Sequence, residues 1–217
     1  MKKAILFGSS GFVGSFLLNE LLNNSDYEKV TVVVRKNLDI NHPKLKTLIG
    51  DYNSLPLLKD NIIADDVFIT LGTTKKNTPD QVEYYHVDHD YPVLASKIAK
   101  ENGAKSVFLL TSVGANQNSG IFYVKTKGET ERDIIARDYD HTHIFRPSML
   151  MGSRKEYRPM EKAIITLWSV INPLFVGKMS KNKGITGENV AMAMNNAAKN
   201  QTEKVKIYQW KEMIDLL

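Results

Sequence analysis

The stretch "AILFGSSGFVGSFLLNELL", residues 4–22, decides how the rest of the chain is read. An apolar run of strand character meets Gly8, Gly11 and Gly14, and a helix-like amphipathic stretch follows at once. The first turn of a helix leaves backbone N–H groups unpaired and carries the positive end of the helix dipole, so it attracts phosphate. Glycine lets a ligand come close, because a Cβ would stand in the way. Gly8 is expected to make the tight turn, Gly11 the close approach and Gly14 the packing of helix on strand, with Ser9, Ser10, Phe12 and Val13 completing the loop. The G-x-x-G-x-x-G spacing is one residue longer than the common dinucleotide fingerprint. A ligand-free Gly/Ser turn is the bland alternative; strand before and helix after favour a pyrophosphate site.

Outward from this loop, short β-branched runs alternate with longer amphipathic ones. "KVTVVVR", "KLKTLIGD", "DDVFITLG", "KSVFLLTS" and "HTHIFRP" read as further strands after "KAILFG". Helices are expected over residues 12–23, from Pro79 to Gly103 with Pro92 as a kink or break, and over 121–137. The alternation predicts a doubly wound parallel α/β sheet with helices on both faces. Beyond Ser148 the pattern loosens into a small C-terminal elaboration: a helix around 161–170, another over 187–199, and a late strand "KVKIYQW". No linker divides the chain, so residues 1–217 are expected to form one domain, with 148–217 on the substrate side.

Composition limits the alternatives. The chain has 217 residues and a net charge of +5, a mild bias toward anionic ligands with no single basic block. No apolar run approaches the roughly 18 residues a bilayer span needs, so no membrane is expected. "MKKAILFGSSG" reads as a first strand and not as a signal peptide, since its apolar part ends at glycine without a cleavage pattern. The absence of cysteine excludes disulfides and thiolate zinc and suggests a cytoplasmic location.

The second strand ends at Arg35 and Lys36, where an NAD-selective site would place a carboxylate. A guanidinium grips a 2′-phosphate that a carboxylate would repel, so NADP is expected over NAD. Asp51 after the third strand is a candidate partner for the adenine amine, and Gly72 and Thr73 after the fourth are candidates to line the cofactor groove. A second group lies in "LLTSVGANQNSGIFYVKTKGE" (residues 109–129). Ser112 sits past the fifth strand, and Tyr123 and Lys127 stand four apart on one helix face. A free phenol titrates near pH 10, and a neighbouring ammonium favours its ionised form. Ser112 is therefore expected to orient a reacting oxygen, Tyr123 to give or take its proton, and Lys127 to assist Tyr123.

The glycine loop, Ser112, "YVKTK" and Arg146–Pro147 resemble the short-chain dehydrogenases/reductases. "LGTTKK", "VDHDY", "SVGA", "FYVKTKGE", "FRPSMLMG" and "EYRP" are similar to the atypical branch that includes HIV Tat-interacting protein. The resemblance covers the chain to about Lys162. It implies a Rossmann-type fold, NAD(P) binding, a Ser-Tyr-Lys set whose lysine also holds the nicotinamide ribose, and Pro147 and Ser148 flanking the nicotinamide. Where many relatives place an asparagine that helps a proton relay, this chain has Asp88. The C-terminal part is short for enclosing a nucleotide sugar, which with Arg35 weighs against an epimerase or dehydratase using held NAD.

Other clusters are blander. His86 and His89 with Asp88 and Asp90 lack a third ligand at clear spacing, so no metal is expected. His141 and His143 read as packed or edge-facing side chains. Arg154, Lys155, Arg158, Lys178, Lys181 and Lys183 read as a solvated face without nucleic-acid character. Met149, Leu150, Met151, Met160 and Trp168 line an apolar pocket or fill core. The sequence-level conclusion is an NADP-dependent oxidoreductase of a small carbonyl or alcohol. Its rival is an NADP-binding regulatory module with a protein partner, and monomer and homodimer both remain open.

Overall fold

The computed structural model describes residues 1–152 and 182–217. The strands are β1 (Lys2–Phe7), β2 (Tyr27–Val34), β3 (Leu45–Ile49), β4 (Asp66–Ile69), β5 (Ser106–Leu110), β6 (His141–Phe145), β7 (Leu150–Met151), β8 (Ile185–Thr186) and β9 (Val205–Tyr208). The helices are α1 (Phe12–Asn23), α2 (Gln81–Tyr85), α3 (Tyr91–Glu101), α4 (Phe122–Ile135), α5 (Gly187–Ala197) and α6 (Trp210–Ile214). Seven strands form one parallel sheet in the order β3-β2-β1-β4-β5-β6-β9, and β7 and β8 pair separately. This is the doubly wound sheet that the alternation of patterns predicts.

Central strands of such a sheet are covered on both faces, so they are apolar throughout and need not alternate. In β1, Ala4 and Leu6 point into a core with α1 and α5, while Ile5 and Phe7 point into a second core with α3 and α4. Strand order reverses between β1 and β4, and their carboxyl ends open the crevice where ligands bind in sheets of this kind. At the opposite end, the buried Asp66 carboxylate accepts from Tyr27 Oη (2.7 Å), Lys2 Nζ (3.2 Å) and Gln201 Nε2 (3.3 Å). Burial and that carboxylate together push the Tyr27 phenol far up.

The long helix expected from Pro79 is observed in three continuous parts. Asp80 caps α2 by accepting from the backbone of Val82 and Glu83, both at 2.9 Å. Residues His86–Asp90 then form a π-helical turn, and α3 follows with Pro92 in its first turn. A proline inside a helix lacks the N–H its turn needs, and the wider turn before it absorbs that defect. The sequence pattern does not predict the short 3-10 helix Leu55–Asn61, the β7–β8 pair or α6. The helix expected around 161–170 lies outside the described residues, as do Met160, Trp168, Arg154, Lys155, Arg158, Lys178 and Lys181.

His143 is packed. It is stacked on Phe108 at 4.7 Å between ring centroids, Phe108 is stacked on Phe68 at 4.6 Å, and His143 Nδ1 meets Tyr208 Oη at 2.9 Å. Burial, followed by the nearby His141 and Lys206, lowers its pKa from 6.5 to about 4. The unfolded chain therefore takes up a proton near pH 6.5 while the folded chain does not. Stability is full above pH 6.5 and is lost as pH falls from 6.5 toward 4, by about 2–3 kcal/mol. In His143→Phe, urea denaturation at stepped pH is expected to show that slope flattened, whatever the uniform cost of the substitution. An unchanged slope would assign the acid sensitivity to other groups.

Candidate functional site

The turn after β1 is built by the absence of side chains. Gly8 has φ +93°, and a Cβ there would fall 2.8 Å from Thr70 Oγ1 at the end of β4. On Gly14 a Cβ would overlap the Gly8 carbonyl oxygen, so α1 comes down onto the loop only because residue 14 is glycine. Gly11 meets nothing nearer than that same oxygen at 3.2 Å and is exposed. It stands at the cap of α1, its amide donating to that oxygen at 2.9 Å; the cap residue supplies no side-chain hydrogen bond, and no acidic residue occupies the first turn. Ser9 is buried, and its hydroxyl has no partner among the described residues. An orphaned hydroxyl beside the start of a helix that carries no acidic residue in its first turn fits a diphosphate, which accepts hydrogen bonds and brings negative charge. Val13 is buried beneath the loop, Ser10 is exposed, and the Phe12 ring lies against Gly187 and Gly152.

Arg35 and Lys36 are exposed just past the end of β2. Beyond β3, Asp51 is committed locally: its Oδ1 accepts from Ser54 N (3.0 Å) and Ser54 Oγ (2.8 Å), and these bonds hold its carboxyl below the ordinary range. Arg35 and Asp51 both act on Tyr91, whose phenol is pushed up to about 12 by burial and by Asp51 and is partly offset by Arg35. Tyr52 packs against both Tyr91 and His86, with ring centroids 6.1 and 5.7 Å away. Tyr52 and Tyr91 thus form an aromatic wall beside Arg35 and Asp51 that nothing in the local pattern announces.

Ser112 lies just beyond β5, buried, with its hydroxyl unpartnered among the described residues. The loop after it folds back over the first turns of α4: Asn116 N donates to Val124 O (3.1 Å), and a Cβ on Gly128 would overlap the Gln117 backbone. On α4, Tyr123 is 41% exposed and Lys127 is buried. Lys127 Nζ lies 2.6 Å from Asp88 Oδ1, and Asp88 Oδ2 accepts from Thr73 N at 2.7 Å. A Cβ on Gly72 would sit 3.5 Å from Lys127 Nζ, so the loop after β4 runs directly beside this ion pair. Tyr84 donates to Thr73 O (3.2 Å), and burial, then Asp88, then Tyr123 raise its phenol.

One turn further along α4, Glu131 is buried and accepts from Thr111 Oγ1 (2.6 Å), Arg146 Nε (2.9 Å) and Arg146 Nη2. Thr111 and Arg146 immediately precede Ser112 and Pro147. The ion pair therefore fixes the ends of β5 and β6 to the helix that carries Tyr123 and Lys127. The Pro147 carbonyl accepts from Val113 N at 2.9 Å, and the Ser148 hydroxyl donates to Lys183 O. Ser148 thus spends its side chain on the chain segment before β8. Among the described residues no cluster of His, Cys, Asp or Glu is arranged to hold a metal, and no helix is long and apolar enough to cross a membrane.

Comparisons with known proteins show the family and support the fold. Residues 8–166 match a family model described as NAD(P)H-binding. The mitochondrial protein FMP52 of Candida albicans is 32% identical over 84% of this chain and 89% of its own length. Protein HTATIP2 of Rattus norvegicus is 32% identical over 74% of this chain and 67% of its own. The structure of MoeE5 in complex with UDP-glucose and NAD superposes with a TM-score of 0.70 at 18% identity, covering 98% of this chain and 80% of that one, which supports the fold alone. The mitochondrial name of the fungal relative overturns the cytoplasmic location expected from the lack of cysteine, because missing thiols report redox tolerance and carry no address. The chain belongs to the NAD(P)H-binding family, as an atypical short-chain dehydrogenase/reductase similar to the HTATIP2 branch.

Proposed function

We propose that this chain is an NADP-dependent oxidoreductase acting on a small carbonyl or secondary alcohol, working as one domain with residues 148–217 on the substrate side. The observation that carries the reading is the pairing of two orphaned, buried hydroxyls with two glycine-opened surfaces. Ser9 lies in the loop before α1, and Ser112 lies just beyond β5, ahead of the helix that carries Tyr123 and Lys127. A buried hydroxyl without a partner costs about 1–3 kcal/mol, so each is best explained by a ligand that completes it.

In this reading the loop from Gly8 to Gly14, with the Ser9 hydroxyl, holds the diphosphate, and Arg35 and Lys36 hold the 2′-phosphate. Gly72 and Thr73 line the groove, Tyr52 and Tyr91 flank the adenine side beside Asp51, and Pro147 borders the nicotinamide. The bound dinucleotide supplies or accepts the hydride. Ser112 orients the substrate oxygen, and exposed Tyr123 gives that oxygen a proton in reduction or removes one in oxidation. Lys127, paired with Asp88 one helical turn from Tyr123, holds the ribose. Tyr123→Phe is expected to slow NADPH oxidation by a carbonyl compound by at least about 100-fold while the protein still binds NADPH. Wild-type turnover in that variant would remove the proton-transfer role. Arg35→Ala is expected to weaken NADP by about 10-fold and to change NAD by less than about 2-fold, read by calorimetry. Equal losses for both dinucleotides would sink the assignment of NADP.

A second reading has its own observation. An apolar hollow of about 290 Å³ opens between α2 and the start of α4, lined by Gln81, Val82, Tyr85, His86 and Phe122, with Val82 and Ile121 more than 60% exposed. It suits a protein partner whose association depends on the occupied dinucleotide site. Titrating NADP during partner binding is expected to change the affinity. A constant affinity would leave the oxidoreductase reading standing alone.

A further inference from the structure

The ion pair between Lys127 and Asp88 has a chemical consequence of its own. Where an amide would leave the ammonium as a net positive charge, Asp88 cancels it at 2.6 Å. The carboxylate is wholly buried, its Oδ2 accepting from the Thr73 amide, and the backbone carbonyl of Asp88 accepts from Thr130 Oγ1 at 2.8 Å. Asp88 stands in the π-helical turn, four residues after Tyr84, and both are buried. Gly72 leaves the pair a surface without a side chain between it and the groove.

We infer that Asp88, by neutralising Lys127, sets how strongly this protein prefers the oxidised over the reduced nicotinamide dinucleotide. The inference rests on the reading that the nicotinamide end lies beside Lys127. The two redox forms carry the same phosphates and differ by one positive charge on the nicotinamide ring. The local charge facing that ring therefore contributes directly to the difference between their affinities. A neutral pair discriminates little, an uncompensated ammonium disfavours the oxidised ring, and an uncompensated carboxylate favours it. Asp88 acts through Lys127 and is a positioning residue that need not touch the substrate.

The test measures dissociation constants of NADP+ and NADPH on the full chain at low ionic strength, for the wild type, Asp88→Asn, Lys127→Met and the double variant. Asp88→Asn is expected to weaken NADP+ relative to NADPH by about 3- to 10-fold, and Lys127→Met to shift the ratio by a similar factor the other way. The double variant is expected to return within about 2-fold of the wild-type ratio. Damage to the fold weakens both forms together and cancels in the ratio, so it cannot produce shifts of opposite sign. A ratio that stays fixed in both single variants, or moves the same way in both, overturns the inference while dinucleotide binding stands. A wild type that binds neither form overturns the dinucleotide reading, and this inference with it.

Discussion

The closeness of α1 to the end of β1 is the constraint from which the rest of this architecture follows. The helix reaches the loop because Gly14 offers no atom where the Gly8 carbonyl sits, and Gly8 turns with a positive φ against Thr70. Three peptide segments thereby converge at the point where strand order reverses. With α1 seated, its first turn comes up against the ends of β1 and β4. The rigid support lies at the far end of the sheet, where Tyr27, Lys2 and Gln201 satisfy Asp66. One edge of the sheet is closed by internal bonds and the other is left with unfilled ones.

Helix α4 repeats that division on a smaller scale. Its residues 123, 127 and 131 fall on one face and pass from exposed to buried. Tyr123 meets solvent, Lys127 meets Asp88, and Glu131 meets Arg146 and Thr111. Buried ion pairs contribute little net stability but define geometry sharply, because breaking one strands a charge. Two of them, one helical turn apart, fix the helix against the π-helical turn on one side and the ends of β5 and β6 on the other. The placement of Ser112 relative to Tyr123 is inherited from these contacts.

Much of this was legible in the chain because it depends on local rules. Apolar runs gave the strands, β-branched "KVTVVVR" most plainly, and glycine with its flanking pattern marked α1. Asp88 could be seen to depart from a familiar asparagine, but its partner could not be named, since a contact between residues 39 apart depends on how two helices lie together. Glu131 carries no local signal that sets it apart; only the packing of α4 on β5 and β6 makes it buried. Tyr52 and Tyr91 were invisible as a pair for the same reason. The π-helical turn was foreshadowed by Pro92, which signalled a defect in the helix without saying which kind. Cellular address was misread because it was taken from what the sequence lacks.

The seat of the Phe12 ring links distant parts of the chain. Gly152, before the undescribed segment, and Gly187, after it, both present bare backbone to this ring, and a methyl group at 187 would stand 2.7 Å from it. The ring belongs to the residue that begins α1, so positions 152 and 187 are both gauged against the turn after β1. A larger side chain at either would press first on the residue that opens α1, which makes two late glycines silent partners in how that early turn is held.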